Sequence, residues 1–242
     1  MTFEAVYEIT ERFYAHFCGE KPSRLGPGVH FIEDPRREQV LKGFGCKYPL
    51  YILERDGQCV VSYAPRHRAF ADSVRACGMG EIVSRARRAF ALKEMHLMVF
   101  ARNRVEQYGQ ARVLRPGDYP LYQAFFREAH PGARPEGWLE EYFLEKNGYF
   151  VGYEWAGRLA CVCDAPDMPY MEGEIQHTGI YTLKEARRMG FARRTAALAA
   201  RHLMEMGVCP QWECALDNQA SFELAKSVGY EPYGRAYILV ER

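Results

Sequence analysis

Apolar positions along this chain change period several times, and the changes mark out its elements. From Phe3 to Phe17, large side chains recur at Phe3, Val6, Tyr7, Phe13, Tyr14 and Phe17, the spacing of one helix face. Glycine and proline punctuate 19–28, which reads as loop, and Val29–Ile32 is a short strand candidate. Pro49–Glu54 and Gln58–Tyr63 flank Asp56-Gly57, a pair suited to a two-residue hairpin turn. His67–Cys77, stopped by Gly78, and Glu81–Leu92 have helical spacing, whereas His96–Ala101 is strand-like. Arg102–Gln110 is polar and lacks an apolar period. A domain boundary is placed there, giving an α+β domain over 1–110 and a second unit over 111–242.

The second unit opens on a strand at Arg112–Leu114, and Asp118 is placed to cap a helix over Tyr119–Glu128. Trp138–Glu145 is a further helix. Tyr149–Trp155 and Arg158–Cys163 flank Ala156-Gly157 as another hairpin. A strand over Gly173–Thr182 leads to a turn and an alanine-rich helix ending near Met206, with Gly207 as its stop. Gln211–Leu216 is a strand, Ser221–Val228 a helix closed by Gly229, and Tyr230–Val240 one or two strands. The two halves share a helix, hairpin, helix, strand rhythm. A degenerate duplication would leave that pattern, and so would chance.

Composition changes this picture little. Lys plus Arg is 32 and Asp plus Glu is 31, a net charge of +1, so nothing points to nucleic acid or an anionic membrane. The cluster Arg85, Arg87 and Arg88 reads as a solvated helix face. The start of the chain does not resemble a signal peptide, and no apolar run reaches the length of a membrane span. The eight cysteines show no metal-finger spacing. They are expected as reduced thiols in the cytoplasm, with no metal bound. Cys161 and Cys163 share one strand face, which suits two small core residues better than a metal pair.

The candidate chemistry sits at Arg187-Arg188-Met189-Gly190-Phe191-Ala192, an R-x-x-G-x-A turn between a strand and a helix. A glycine there lets the backbone approach a ligand, and the first helical amides lack partners and carry the positive end of the dipole. Such a turn suits a phosphate or pyrophosphate. Downstream lie Trp212-Glu213-Cys214 and Asn218-x-x-Ser221-x-x-Leu224-Ala225-Lys226-x-x-Gly229-Tyr230.

Together these segments resemble the GCN5-related N-acetyltransferases (GNAT), and within them most the zwittermicin A resistance-type branch. The resemblance covers about 111–242; residues 1–110 resemble the branch's amino-terminal extension only loosely. It implies the GNAT acyl-CoA N-acyltransferase fold in the carboxyl-terminal half, preceded by a smaller α+β domain that could itself be a degenerate GNAT-like half. It also implies acetyl-CoA as co-substrate and direct acetyl transfer to a primary amine of a small molecule, either a metabolite or an amino-bearing antibiotic. An acyl-CoA-binding regulatory module without turnover is the alternative. Exposed strand edges in the fold often pair, which leaves a homodimer open.

The resemblance also assigns residues. Backbone groups of Ile180, Tyr181, Thr182 and Leu183 would pair with the pantetheine arm. The backbone amides of Arg188, Met189, Gly190, Phe191, Ala192 and Arg193 would cradle the pyrophosphate, with Arg187, Arg193 and Arg194 adding charge near the phosphates. Asn218 and Ser221 would contact the coenzyme or cap the following helix, Asp217 competing as the cap. A backbone amide near Tyr181 would serve the oxyanion. Many relatives carry a glutamate base eleven residues before the motif arginine, a position held here by Gln176. Glu174, His177 and Glu172 remain as candidate proton acceptors. The tyrosine acid found in many relatives seven residues after the motif asparagine is replaced by Ala225, and Tyr230 and Tyr233 lie nearby. Asp164, Asp167, Glu172 and Glu174 form an acidic cluster that would suit a cationic amine, or simply a solvated loop.

Overall fold

The first periodic segment is helix α1 (Phe3–Phe17), capped by the Thr2 hydroxyl, which accepts the Ala5 amide at 3.2 Å. The computed structural model describes residues 1–164 and 168–242. In the amino-terminal half the strands are β1 (Gly28–Glu33), β2 (Lys47–Arg55), β3 (Gln58–Tyr63) and β4 (Leu92–Phe100). β2 and β3 form the expected hairpin, with φ of 38° at Asp56 and 75° at Gly57, the hand that matches strand twist. Helices α2 (Arg68–Ser73) and α3 (Met79–Ala89) cover one face of these strands. Two boundaries differ from expectation. The helix predicted to Cys77 stops at Ser73, whose hydroxyl donates back to the Phe70 carbonyl at 2.7 Å. Leu92 starts β4 rather than ending a helix, because Phe90 is already extended.

The carboxyl-terminal half contains β5 (Ala111–Val113), α4 (Tyr119–Ala129), α5 (Leu139–Glu145), β6 (Val151–Trp155) and β7 (Arg158–Asp164). These are followed by β8 (Ile175–His177), β9 (Gly179–Thr182), α6 (Phe191–Glu205), β10 (Cys209–Ala215), α7 (Gln219–Val228) and β11 (Tyr230–Glu241). Asp118 does not cap α4. Its carboxylate accepts from Arg112 at 2.7 and 2.8 Å and from the Arg115 amide at 2.7 Å, closing a tighter turn over Pro116–Asp118.

Strand order runs β1-β3-β2-β11-β4-β10-β8 in one sheet and β5-β6-β7-β9 in a second. β4, from the amino-terminal half, lies between β10 and β11 and is antiparallel to both. Its sequence suits a central strand: Leu97 and Met98, which point to opposite faces, are both fully buried. The polar stretch after β4 packs onto the other half. The Arg104 amide donates to the Val228 carbonyl at 3.0 Å, and Val105 is buried. Helices α1 and α4 cover one face around β7–β10, as Tyr14 reaches Glu213 and Tyr122 reaches Asp164. α6 and α7 lie on the other face, where Cys163 meets Ala199 and Trp212 meets Ser221.

Candidate active site at a strand fork

Ile175–Thr182 is a single extended run that changes partners at Thr178. Its first part, β8, runs parallel to β10, and its second part, β9, is antiparallel to β7. The change leaves a gap between β9 and the far end of β10. Backbone direction along the run follows from the bonds on either side. The Thr178 amide donates to the Gln211 carbonyl at 2.8 Å, toward β10, while the Leu183 amide donates to the Ala160 carbonyl at 3.0 Å, toward β7. Because amides alternate along a strand, Tyr181 points its amide at β7, and Ile180 and Thr182 turn theirs to the gap. The Tyr181 amide, expected to face the gap, is therefore turned to β7, and the gap-facing amides beside it belong to Ile180 and Thr182. The fork is pinned from below. The Thr178 hydroxyl donates to the Gln211 carbonyl at 2.8 Å and lies 3.0 Å from the Tyr230 hydroxyl, which donates to it. Burial pushes the Tyr230 pKa up, so it keeps that proton.

From β9 the chain passes Leu183, a short turn over Lys184–Ala186, and Gly190 at φ 78°, then enters α6. Arg188 is also left-handed, at φ 63°. Among the described residues, no backbone acceptor meets the amides of Arg188 through Arg193. Ala196, Ala197, Ala199 and Ala200 are buried, and their small size lets α6 lie across both sheets and close the gap's floor. The side chains of the turn divide. Arg188 and Met189 stand exposed, and Arg187 donates to the Thr182 carbonyl at 3.2 Å. Arg193 is held by the Ser227 and Arg104 carbonyls at 3.2 and 3.0 Å, and Arg194 by the Tyr153 hydroxyl at 3.3 Å. Asn218, not Asp217, caps α7 by accepting the Ser221 amide at 3.1 Å. The Ser221 hydroxyl in turn accepts from Trp212 Nε1 at 3.1 Å.

On the opposite face, the fork carries His177. Its Nδ1 lies 2.7 Å from Gln211 Oε1 and 3.3 Å from the Gln211 backbone carbonyl. Gln211 Nε2 donates to the Tyr14 hydroxyl at 2.8 Å, and Tyr14 donates to Glu213 Oε1 at 2.8 Å. The Tyr181 ring lies on the same face, near His130 at 5.4 Å between centroids. Asp164 receives the Tyr122 hydroxyl at 3.0 Å. Burial pushes the Asp164 carboxyl up, against the opposing pull of that hydrogen bond and of nearby His130 and His177.

The other proton-acceptor candidates lie away from the fork. Glu174 sits in the turn before β8, exposed and ion-paired with Arg12, rather than on a strand face with Gln176. Glu172 lies between Lys42 at 2.7 Å and Lys146 at 3.4 Å, and their hydrogen bonds hold its carboxyl below the usual range. Asp167 falls outside the described residues. Gln176 and Ala225 are buried, and Tyr233 instead stacks on Tyr14, with its hydroxyl bonded to Arg55. Tyr14, Gln211 and Glu213 were not anticipated from sequence. The available signal was a polar i, i+2 pair in an otherwise apolar strand and a hydroxyl on the buried stripe of α1.

A sheet split along one strand, with free backbone edges facing the gap and a glycine turn opening a helix at its end, is the architecture of the GNAT fold. Residues 138–239 match the family model of GNAT acetyltransferase, and the fold of this segment is the GNAT fold. Solved structures agree on the fold. A GNAT-family acetyltransferase from Colwellia psychrerythraea is 18% identical with a TM-score of 0.50, over 63% of this chain and 57% of that one. A GCN5-related N-acetyltransferase from Sphaerobacter thermophilus is 14% identical with a TM-score of 0.50, over 69% and 57%. This chain thus spans little more than half the length of these two relatives. No curated protein matches it. Among the described residues, no helix is long and apolar enough to cross a membrane.

Proposed function

We propose that the protein transfers an acetyl group from acetyl-CoA to a primary amine of a small molecule, with His177 as the proton acceptor. The observation that carries this reading is the fork at Thr178 together with the turn at Gly190, to which β9 leads. The residues present fit the coenzyme. The gap-facing backbone of Ile180 and Thr182 would pair with the pantetheine amides. The free amides of Arg188–Arg193 would hold the pyrophosphate, with space around Gly190, where an added Cβ would meet nothing within 4 Å. Bound there, acetyl-CoA supplies the activated acetyl group. The Ile180 or Thr182 amide donates toward the developing oxyanion. His177, at the fork on the acceptor face, takes the proton from the incoming ammonium. The Tyr181 ring and Asp164 border the same face and suit a cationic amine.

A small acceptor is further supported by the residue-level likeness of Trp212-Glu213-Cys214 and Asn218–Tyr230 to the zwittermicin A resistance-type branch. Replacement of the usual glutamate and tyrosine by Gln176 and Ala225 motivates the second reading, a coenzyme-binding module without turnover.

Titration calorimetry with coenzyme A tests the reading first. Saturable binding is expected, and no binding overturns it. Gly190→Ala puts a Cβ into the open space where the pyrophosphate would lie, which should weaken binding by roughly tenfold. With binding established, release of free thiol against a panel of amines separates transferase from module. His177→Gln should bind coenzyme normally and lose turnover; undiminished turnover removes His177 from the role of base.

A further inference from the structure

We infer that His177 is held as its Nδ1–H tautomer by a hydrogen-bond chain that starts at Glu213 and runs through Tyr14 and Gln211, so that α1 of the amino-terminal half sets which ring nitrogen is basic. The direction of every bond in the chain follows from one end. The Glu213 carboxylate only accepts. Tyr14 keeps its proton, because burial and the adjacent Glu213 both push its pKa up, and it spends that single proton on Glu213 at 2.8 Å. Its oxygen must then accept from Gln211, which fixes the amide with Nε2 toward Tyr14 at 2.8 Å and Oε1 toward His177 at 2.7 Å. Facing that oxygen, Nδ1 must donate. The Gln211 backbone carbonyl, 3.3 Å from the same nitrogen and already accepting from the Thr178 amide and hydroxyl, is a weaker acceptor that favours the same tautomer without fixing it.

The reversed arrangement fails on two contacts. With Gln211 flipped, its oxygen and Glu213 would compete for one tyrosine proton, leaving an oxygen–oxygen contact at 2.8 Å with no hydrogen between. The Nδ1 lone pair would also face a carbonyl. A buried polar group left without its hydrogen bond is costly enough to leave one orientation dominant.

In the neutral ring the lone pair therefore sits on Nε2. Under the proposed function, Nε2 takes the proton from the acceptor amine while Nδ1–H stays on Gln211 and stabilises the imidazolium that forms. The chain orients and does not conduct, since the Gln211 amide neither gains nor loses a proton. Tyr14, Gln211 and Glu213 are positioning residues. The groups around His177 and the chain are Asp164 on β7, His130 after α4, and Tyr48 and Tyr51 beside Glu213.

The test is a ¹⁵N–¹H long-range correlation spectrum of protein labelled with ¹⁵N-histidine at pH 8, with the His177 ring identified by its absence in His177→Gln. The wild type should show protonated Nδ1 and bare Nε2. In Tyr14→Phe and Glu213→Gln the polarity is released, and the Nε2–H form should appear. Both variants should lose about ten- to a hundredfold in kcat with the KM for acetyl-CoA unchanged. Matched thermal melts identify a variant that has merely lost its fold, and Glu213→Gln is the conservative check. An Nε2–H ring in the wild type, or a spectrum unmoved in both folded variants, overturns the inference. The tautomer is read without turnover, so failure of the acetyltransferase reading remains distinguishable.

Discussion

At the scale of single residues, Asp164 and His177 show how position on a strand decides chemistry. Asp164 ends β7 opposite Gly179, beside the fork, and accepts a hydrogen bond from the Tyr122 hydroxyl. An unfolded aspartate ionises near 3.8, and burial raises this one in the fold. Between those two values the folded chain keeps a proton that the unfolded chain has released. Stability must therefore fall as pH rises through that window. Asp164→Asn keeps an acceptor for Tyr122 and cannot ionise, so its melting temperature should lack this decline. Melts of both proteins from pH 4 upward check the prediction, and parallel slopes would refute it. His177 was named from sequence among several candidates, and nothing in the sequence reveals its partner. Gln211 and Glu213 lie more than thirty residues further on, and Tyr14 is 163 residues before it.

At the scale of elements, the motif glycine after α7 has a reason that periodicity alone does not supply. Gly229 has φ 129°, and its carbonyl accepts the Ala101 and Arg102 amides at 3.1 and 3.3 Å. A Cβ placed there would lie 1.6 Å from the Arg102 carbonyl oxygen. Gly229→Ala should therefore cost on the order of 3 kcal/mol or more, at the upper end of single-residue effects. A denaturant titration measures the cost, and a change below 1 kcal/mol would contradict the contact. The helix stop was legible in the sequence because Gly229 follows an apolar stripe. That the same glycine docks the chain leaving β4 was not, since the contact is between halves. The strand expected over Gly173–Thr182 fares similarly: its extended character was readable, but its change of partner at Thr178 depends on where β7 and β10 lie.

At the scale of the whole molecule, β4 joins the two halves. It fills the place between β10 and β11, which pair with it and not with each other. Residues 111–242 expressed alone would expose unpaired edges on both strands, with the apolar side chains of β10 and β11 uncovered. That fragment should be insoluble or lack a cooperative unfolding transition, and co-expression with residues 1–110 should restore both solubility and coenzyme binding. A soluble fragment with a sharp transition would show that β4 is dispensable. The interlock also places α1 over β10, where Tyr14 meets Gln211 and Glu213.

Local order was largely written in the chain. The helical stripe of α1, the two glycine hairpins and the glycine turn before α6 each depend on residues within a few positions of one another, and near-neighbour sterics and periodicity suffice to call them. The same holds for the backbone of the turn proposed to hold the coenzyme, whose unpartnered amides stand at a helix start. Side-chain pairing across the fork is different. Which amides of β9 face the gap, which strand separates β10 from β11, and what holds His177 are contacts between segments far apart in sequence. They come into being when the sheet assembles and brings α1 down on it, and the face that carries His177 belongs to that assembly.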